Sequence, residues 1–231
     1  MKIIGMIGGI GPESTIDYYR RLLDGAQKRN PGGPALQIVI NSIDLQKGLD
    51  LLERNQLNEL TEYIAPEVVR LQHAGAEFGF LAANSPHIVF GDIARRSPIP
   101  LVSIVEATCA EAKRQQLTHL GVFGTRFTMH GRFYPDVFTR EGLQLTVPTA
   151  EEQDYIHDKY INELIPGKFL PETRDGLLAI ATRMKKQDGI QALVLGGTEL
   201  PLILTDSSLL GIPFLDTTQI HVDAILERAM V

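Results

Sequence analysis

The chain has 231 residues, which at about 150 residues per domain allows one large or two small domains with sizeable cores. With 22 Lys and Arg against 28 Asp and Glu the formal charge is −6, and the basic pairs Arg95-Arg96 and Lys185-Lys186 stand apart rather than forming a stripe, which argues against a nucleic-acid partner. A hydrophobic share of 44% beside 22% charged residues is near the average for packed domains and argues against a long disordered tail.

The first residues, MKIIGMIGGIGPEST, carry one lysine and a short apolar run broken by Gly5, Gly8, Gly9, Gly11 and Pro12. They read as a buried strand and not as a signal peptide. Nowhere do eighteen apolar residues run together, so no membrane-spanning helix is expected. Further apolar runs of strand length follow in order: Ile3 to Ile7, Leu36 to Ile40, Phe78 to Ala82, Leu101 to Ile104, Leu120 to Phe123 and Ala192 to Leu195. Between them lie longer stretches with helical spacing, which predicts an α/β protein with parallel sheet. The first helix is expected to start at a Ser14 or Thr15 cap and to bury Ile16, Tyr19, Leu22, Leu23 and Ala26 on one face. Another is expected over Asn58 to His73, stopped by Gly75. The single cysteine, Cys109, can form no intrachain disulfide and no thiolate cluster, which fits a reducing compartment and points to the cytoplasm.

The second half of the chain repeats the first. Ile3 to Gly9 matches His119 to Thr125 at an offset of 116, Gly75 to Ser85 matches Gly189 to Glu199 at 114, and Ile99 to Ser103 matches Ile212 to Asp216 at 113. Two pseudo-symmetric parallel-sheet domains follow, with boundaries expected at 1–115 plus 216–231 for the first and 116–215 for the second. Ligands of parallel sheets bind beyond the carboxyl ends of the strands, so the site is expected in an interdomain cleft. The loops after Ile7 and Phe123 are then equivalent, as are those after Ala82 and Leu195, which makes partners of Ala83 and Gly197.

The residues at those strand ends have two readings each. The loop Gly8 to Thr15 follows a strand and opens a helix, so its backbone amides suit an anion, with Gly11 and Ser14 as candidate contacts. It lacks the third glycine of a dinucleotide fingerprint and the Gly-Lys-Ser/Thr of a Walker loop, which leaves a carboxylate or an unliganded turn. Asn84-Ser85-Pro86-His87 and Thr198-Glu199-Leu200-Pro201 set small polar groups after buried strands. Asn84, Ser85 and Thr198 are candidates for hydrogen bonds to a substrate carboxylate or enolate, and Glu199 or His87 for moving a proton. All of them also suit strand-end turns and caps. Thr125 and Thr128 carry the same two readings. His73, His119, His130, His157 and His221 lack ligand spacing, so no metal site is expected, and no Gly-x-Ser-x-Gly elbow is present. Cys109 lies in a helical stretch and reads as a buried, inert thiol.

In their order, GMIGGIGPEST, GAEFGFLAANSPH, GVFGTRFTM and VLGGTELPL resemble the aspartate/glutamate racemase family over essentially the whole chain. The resemblance implies two α/β units around one site, a homodimer, no cofactor, and chemistry at the carbon beside a carboxylate of a small amino acid or dicarboxylate. In that family two cysteines, in Cys-Asn-Thr and Gly-Cys-Thr-Glu loops, remove and return the proton from opposite faces. The matching positions here are Ala83 and Gly197, neither of which can carry a proton, so the usual two-thiol transfer is not possible. What carries over is a binding shell of Gly11, Ser14, Asn84, Ser85, Thr125, Thr128 and Thr198, with Glu199 and His87 as substitute acid or base. Two alternatives stay open: a non-catalytic carboxylate-binding or regulatory protein, and a lyase or decarboxylase on the same scaffold.

Overall fold

The computed structural model describes all 231 residues. The chain divides into two compact units, Met1–Ile104 with His221–Val231, and Val105–Ile220. In the first unit β1 (Ile4–Gly8), α1 (Pro12–Arg29), β2 (Ile38–Ser42), α2 (Leu45–Glu53), α3 (Leu57–His73), β3 (Phe78–Leu81), α4 (Phe90–Arg96) and β4 (Leu101–Val102) build a parallel sheet in the order β2-β1-β3-β4.

α5 (Ile104–Arg114) leads into the second unit, with β5 (His119–Gly124), α6 (Arg126–His130), α7 (Phe133–Arg140), β6 (Gln144–Thr146), α8 (Ala150–Lys159), α9 (Pro171–Arg183), β7 (Ala192–Gly196), α10 (Leu200–Ile203) and β8 (Phe214–Asp216). Its sheet is also parallel, in the corresponding order β6-β5-β7-β8. The last helix, α11 (Thr217–Ala229), crosses the seam.

The repeat extends to register. Ile4 faces Phe78 and Gly79 faces Leu101 in the first sheet, while Leu120 faces Ala192 and Leu193 faces Phe214 in the second. Each pair in one sheet maps onto the pair in the other at the offsets 116, 114 and 113 found in the sequence. A one-residue slip would turn every side chain to the opposite face, so this shared register carries the equivalence of the strand ends.

The seams lie within or at the start of helices, away from the positions 115/116 and 215/216 expected from the sequence. On α5 the Thr108 hydroxyl bonds the Tyr134 phenol, and Lys113 pairs with Glu141 at 2.5 Å, which ties that helix to α7. Thr217 donates to the Leu195 carbonyl at 2.7 Å, whereas Val222, Ile225, Leu226 and Ala229 join the core of the first unit.

α1 departs from its sequence expectation in two respects. Gly11, at φ 116°, precedes it and Pro12 opens it, with no side-chain cap, because proline's fixed φ suits the first helical position. The buried face is Ser14, Tyr18, Leu22 and Ala26, while Ile16, Tyr19 and Leu23 are exposed. Both sets have helical spacing, and only packing of Tyr18, Leu22 and Ala26 with Ile4, Met6, Phe78 and Phe80 distinguishes them. β4 is shorter than expected because Ile104 already begins α5, and the three-residue edge strand β6 was not foreseen. No helix is long and apolar enough to cross a membrane.

Candidate functional site

In the first unit the carboxyl ends of β1 and β3 lie side by side, with Ile7 facing Leu81 and the Ala82 amide donating to the Ile7 carbonyl at 2.9 Å. The loop after β1 is closed by its own helix. Thr15 Oγ1 accepts from the Gly9 amide at 2.9 Å and donates to the Gly11 carbonyl at 3.0 Å. Gly9 has φ 78°, and a Cβ there would stand 2.4 Å from the Ile43 carbonyl oxygen, so no other residue fits. Ser14, one turn into α1, is fully buried.

After β3, Ala83 and Asn84 are buried and Ser85, half-buried, starts a 3₁₀ turn over Ser85–Val89. That turn carries the His87 ring back beneath the strand end. An amide can only donate, so the Ile104 N–H at 3.3 Å makes His87 Nε2 an acceptor, and Nδ1 then donates to the Ala83 carbonyl at 3.0 Å. The ring stacks on Phe90 with centroids 4.7 Å apart. Burial pulls its pKa down to about 4, against the opposing effect of the Ala83 and Asn84 backbone bonds. His87 is therefore neutral near pH 7 with both nitrogens engaged by backbone, an arrangement that positions the Ala83-Asn84 loop and leaves no ring nitrogen open for proton transfer.

Behind it lies a second buried imidazole. His221 Nε2 donates to the Val102 carbonyl at 3.1 Å, so Nδ1 accepts from the Tyr18 hydroxyl at 2.9 Å. Burial, aided by His87, lowers the His221 pKa to about 3.

In the second unit β5 and β7 end together, with Gly124 facing Gly196. Thr125 caps α6 by accepting from the Thr128 amide at 3.4 Å, and both threonines are buried. Arg126 is exposed and pairs with Asp154 at 2.9 Å, the solvated reading of that residue.

Beyond β7 the chain runs Gly197, Thr198, Glu199, the last two only 2% exposed. Glu199 Oε2 accepts from the Thr198 hydroxyl at 3.1 Å and from the Tyr160 hydroxyl. The Tyr160 oxygen in turn receives the Glu199 amide at 3.4 Å. Burial first, and the adjoining Glu199 carboxylate second, hold the Tyr160 phenol well above its usual pKa, so it stays protonated. Its ring also takes the space a side chain at 197 would need: a Cβ on Gly197 would lie 2.4 Å from Tyr160 Cε2 and 2.6 Å from its hydroxyl.

Tyr160 escaped the sequence reading because it belongs to no strand end. It opens a five-residue π-helical turn, Tyr160–Leu164, directly after α8, and its one trace in the sequence is the glycine at 197 that makes room for it. Nowhere do three or more His, Cys, Asp or Glu converge as metal ligands.

The fold has counterparts in known proteins. A Yersinia pestis protein provisionally named as an Asp/Glu racemase superposes with a TM-score of 0.90 at 29% identity over 100% of both chains. An aspartate racemase homologue from Pyrococcus horikoshii OT3 does so at 0.86 and 28%, again over 100% of both. The broad specificity amino-acid racemase RacX of Bacillus subtilis is 25% identical over 146 residues, 62% of this chain and 63% of that protein. The family model for Asp/Glu/hydantoin racemases matches residues 7–225. That span takes in all eight strands except the first residues of β1, together with every strand-end loop described above, and so the chain belongs to the Asp/Glu/hydantoin racemase family.

Proposed function

We propose that this protein binds an aspartate- or glutamate-like carboxylate at the carboxyl ends of its strands and acts, without a cofactor, on the carbon beside that carboxylate. The observation that carries this reading is the buried Thr198-Glu199 pair at the end of β7, at the place corresponding through the repeat to Asn84-Ser85 after β3. Family membership supplies the reaction class.

In this reading Asn84, Ser85 and Thr198 hydrogen-bond the carboxylate and the enediolate that forms when the α-proton leaves. Gly11, Ser14, Thr125 and Thr128 shape the loops around them. Glu199 takes the proton. The one cysteine, Cys109, sits in α5 away from the strand ends, so no pair of thiols serves the reaction. The same reading takes the protein as a cytoplasmic homodimer, which light scattering checks for the assembly.

Proton NMR in deuterated buffer with a panel of amino acids led by aspartate and glutamate tests the proposal. Loss of the α-proton signal above a protein-free control, abolished in Glu199→Gln, supports it. The single buried cysteine favours a second reading, a carboxylate-binding protein without turnover: thermal stabilisation by the same acids with no exchange identifies that case. Release of carbon dioxide from a substituted malonate identifies a decarboxylase.

A further inference from the structure

Tyr160 packs in the hydrophobic core of the second unit, yet its hydroxyl reaches Glu199 beyond the end of β7. Its hydroxyl lies at the carboxyl end of β7, 2.6 Å from where the side chain of residue 197 would begin, and Gly197 supplies no atom to cover it. It donates to Glu199 Oε2 and receives the Glu199 amide, so phenol and carboxylate form one closed pair joined also by Thr198. The residue opens a π-helical turn, a rare form that occurs mostly as single turns and frequently at functional sites, although the chain has a second such turn at Met184–Asp188. Both partners are buried, at 4% and 2% exposure, which holds phenol and carboxylate in one fixed geometry.

We propose that the Tyr160 hydroxyl is the proton-transfer group of this site, relaying a proton between the α-carbon of the bound carboxylate and Glu199. The inference rests on the carboxylate-binding reading above and deepens it by moving the group that touches the carbon from Glu199 to Tyr160. The ligand's C–H bond breaks and its proton forms a new bond to the Tyr160 oxygen as Tyr160's own proton passes to Glu199 Oε2. The electron pair stays on the ligand as an enediolate, and the Glu199 amide faces the phenol oxygen throughout. Reversal restores the C–H bond, and deuterium enters when the proton on Glu199 exchanges with solvent. A phenol held protonated by burial and by its carboxylate neighbour suits a relay and not a free tyrosinate base.

The test compares the unaltered protein with Tyr160→Phe and Glu199→Gln, each incubated with aspartate and with glutamate in deuterated buffer, with binding read separately from the ligand-induced rise in melting temperature. The relay predicts that Tyr160→Phe still binds but exchanges the α-proton at least about 100-fold more slowly, the lower range for removal of a general acid or base. Glu199→Gln, which keeps the shape of the pair, is expected to lose exchange whichever group touches the carbon. Should Tyr160→Phe fold poorly, 3-fluorotyrosine at position 160, which keeps ring and hydroxyl but makes the phenol more acidic, is expected to shift the pH dependence of exchange, and an unshifted profile overturns the relay. Exchange undiminished in a Tyr160→Phe variant that still binds overturns the relay and leaves the proposed function standing, with Glu199 touching the carbon; exchange undiminished in Glu199→Gln overturns both the relay and the role given to Glu199. Binding without exchange in the unaltered protein also overturns it, in favour of a binding protein. Absence of binding by either acid removes the carboxylate reading itself, and the relay with it.

Discussion

The ring of Tyr160 fills the side-chain space of Gly197: a Cβ built there would lie 2.4 Å from Cε2 and 2.8 Å from Cζ of the tyrosine. Real carbon contacts do not come so close, so the two residues are coupled: the aromatic ring presented from the π-turn and a side chain at position 197 cannot share this space.

That coupling is measurable by a double-mutant cycle. Gly197→Ala alone overpacks the site and is expected to cost about 1–3 kcal/mol. In a Tyr160→Ala background the same change meets open space and costs less, giving a coupling of about 1 kcal/mol or more in urea unfolding. Additive effects would show that the ring moves aside freely. The same contact explains why Gly197→Cys, on its own, is expected to disturb the strand end before it adds a useful thiol.

The two buried imidazoles make the first unit acid-sensitive. In the folded chain the pKa of His87 is about 4 and that of His221 about 3, against 6.5 when unfolded. Below pH 6.5 the unfolded chain takes up protons that the folded chain refuses, so stability is full above that pH and falls as the solution is acidified toward the folded values. Each histidine contributes a slope approaching about 1.4 kcal/mol per pH unit within its window. Urea midpoints between pH 7 and pH 4 check this, and His221→Gln is expected to flatten the curve.

Two glycines with the same φ of 78° separate backbone strain from lack of space. At Gly142 nothing lies within 4 Å of an added Cβ, while at Gly9 the Ile43 carbonyl oxygen stands 2.4 Å away. Gly142→Ala is expected to cost about 1 kcal/mol, the left-handed penalty alone. Gly9→Ala is expected to cost clearly more, to shift the Gly9–Thr15 loop closure, and to weaken any anion binding there. Equal losses in melting temperature would place the whole effect in φ.

Cys109 is 2% exposed, and burial, followed by the Glu141 charge, pushes its thiol pKa up. A thiol that is both covered and protonated reacts slowly. Its modification by a disulfide reagent is expected to follow the opening of the fold, proceeding at once in denaturant and slowly in native buffer. Cys109→Ser is expected to leave α-proton exchange unchanged; fast native labelling together with lost exchange would give this cysteine a part in the chemistry.

Much of the architecture was legible in the chain alone. Apolar runs of strand length and three segments repeating at nearly constant offset established two equivalent parallel α/β units and their strand ends, because strand burial and register are written directly in residue type and spacing. The strand-end order Asn84-Ser85 and Thr198-Glu199 also pointed to the family. Tertiary structure alone decided which face of α1 is buried, since Tyr18 and Tyr19 are both large and helically spaced and only the sheet beneath chooses between them. It also decided that the ring nitrogens of His87 are spent on Ala83 and Ile104, and that Tyr160, distant in sequence, stands at Gly197. The His87–Ile104 and Tyr160–Glu199 contacts join residues 17 and 39 positions apart, and no local pattern of residue types encodes where a side chain from another element will come to rest.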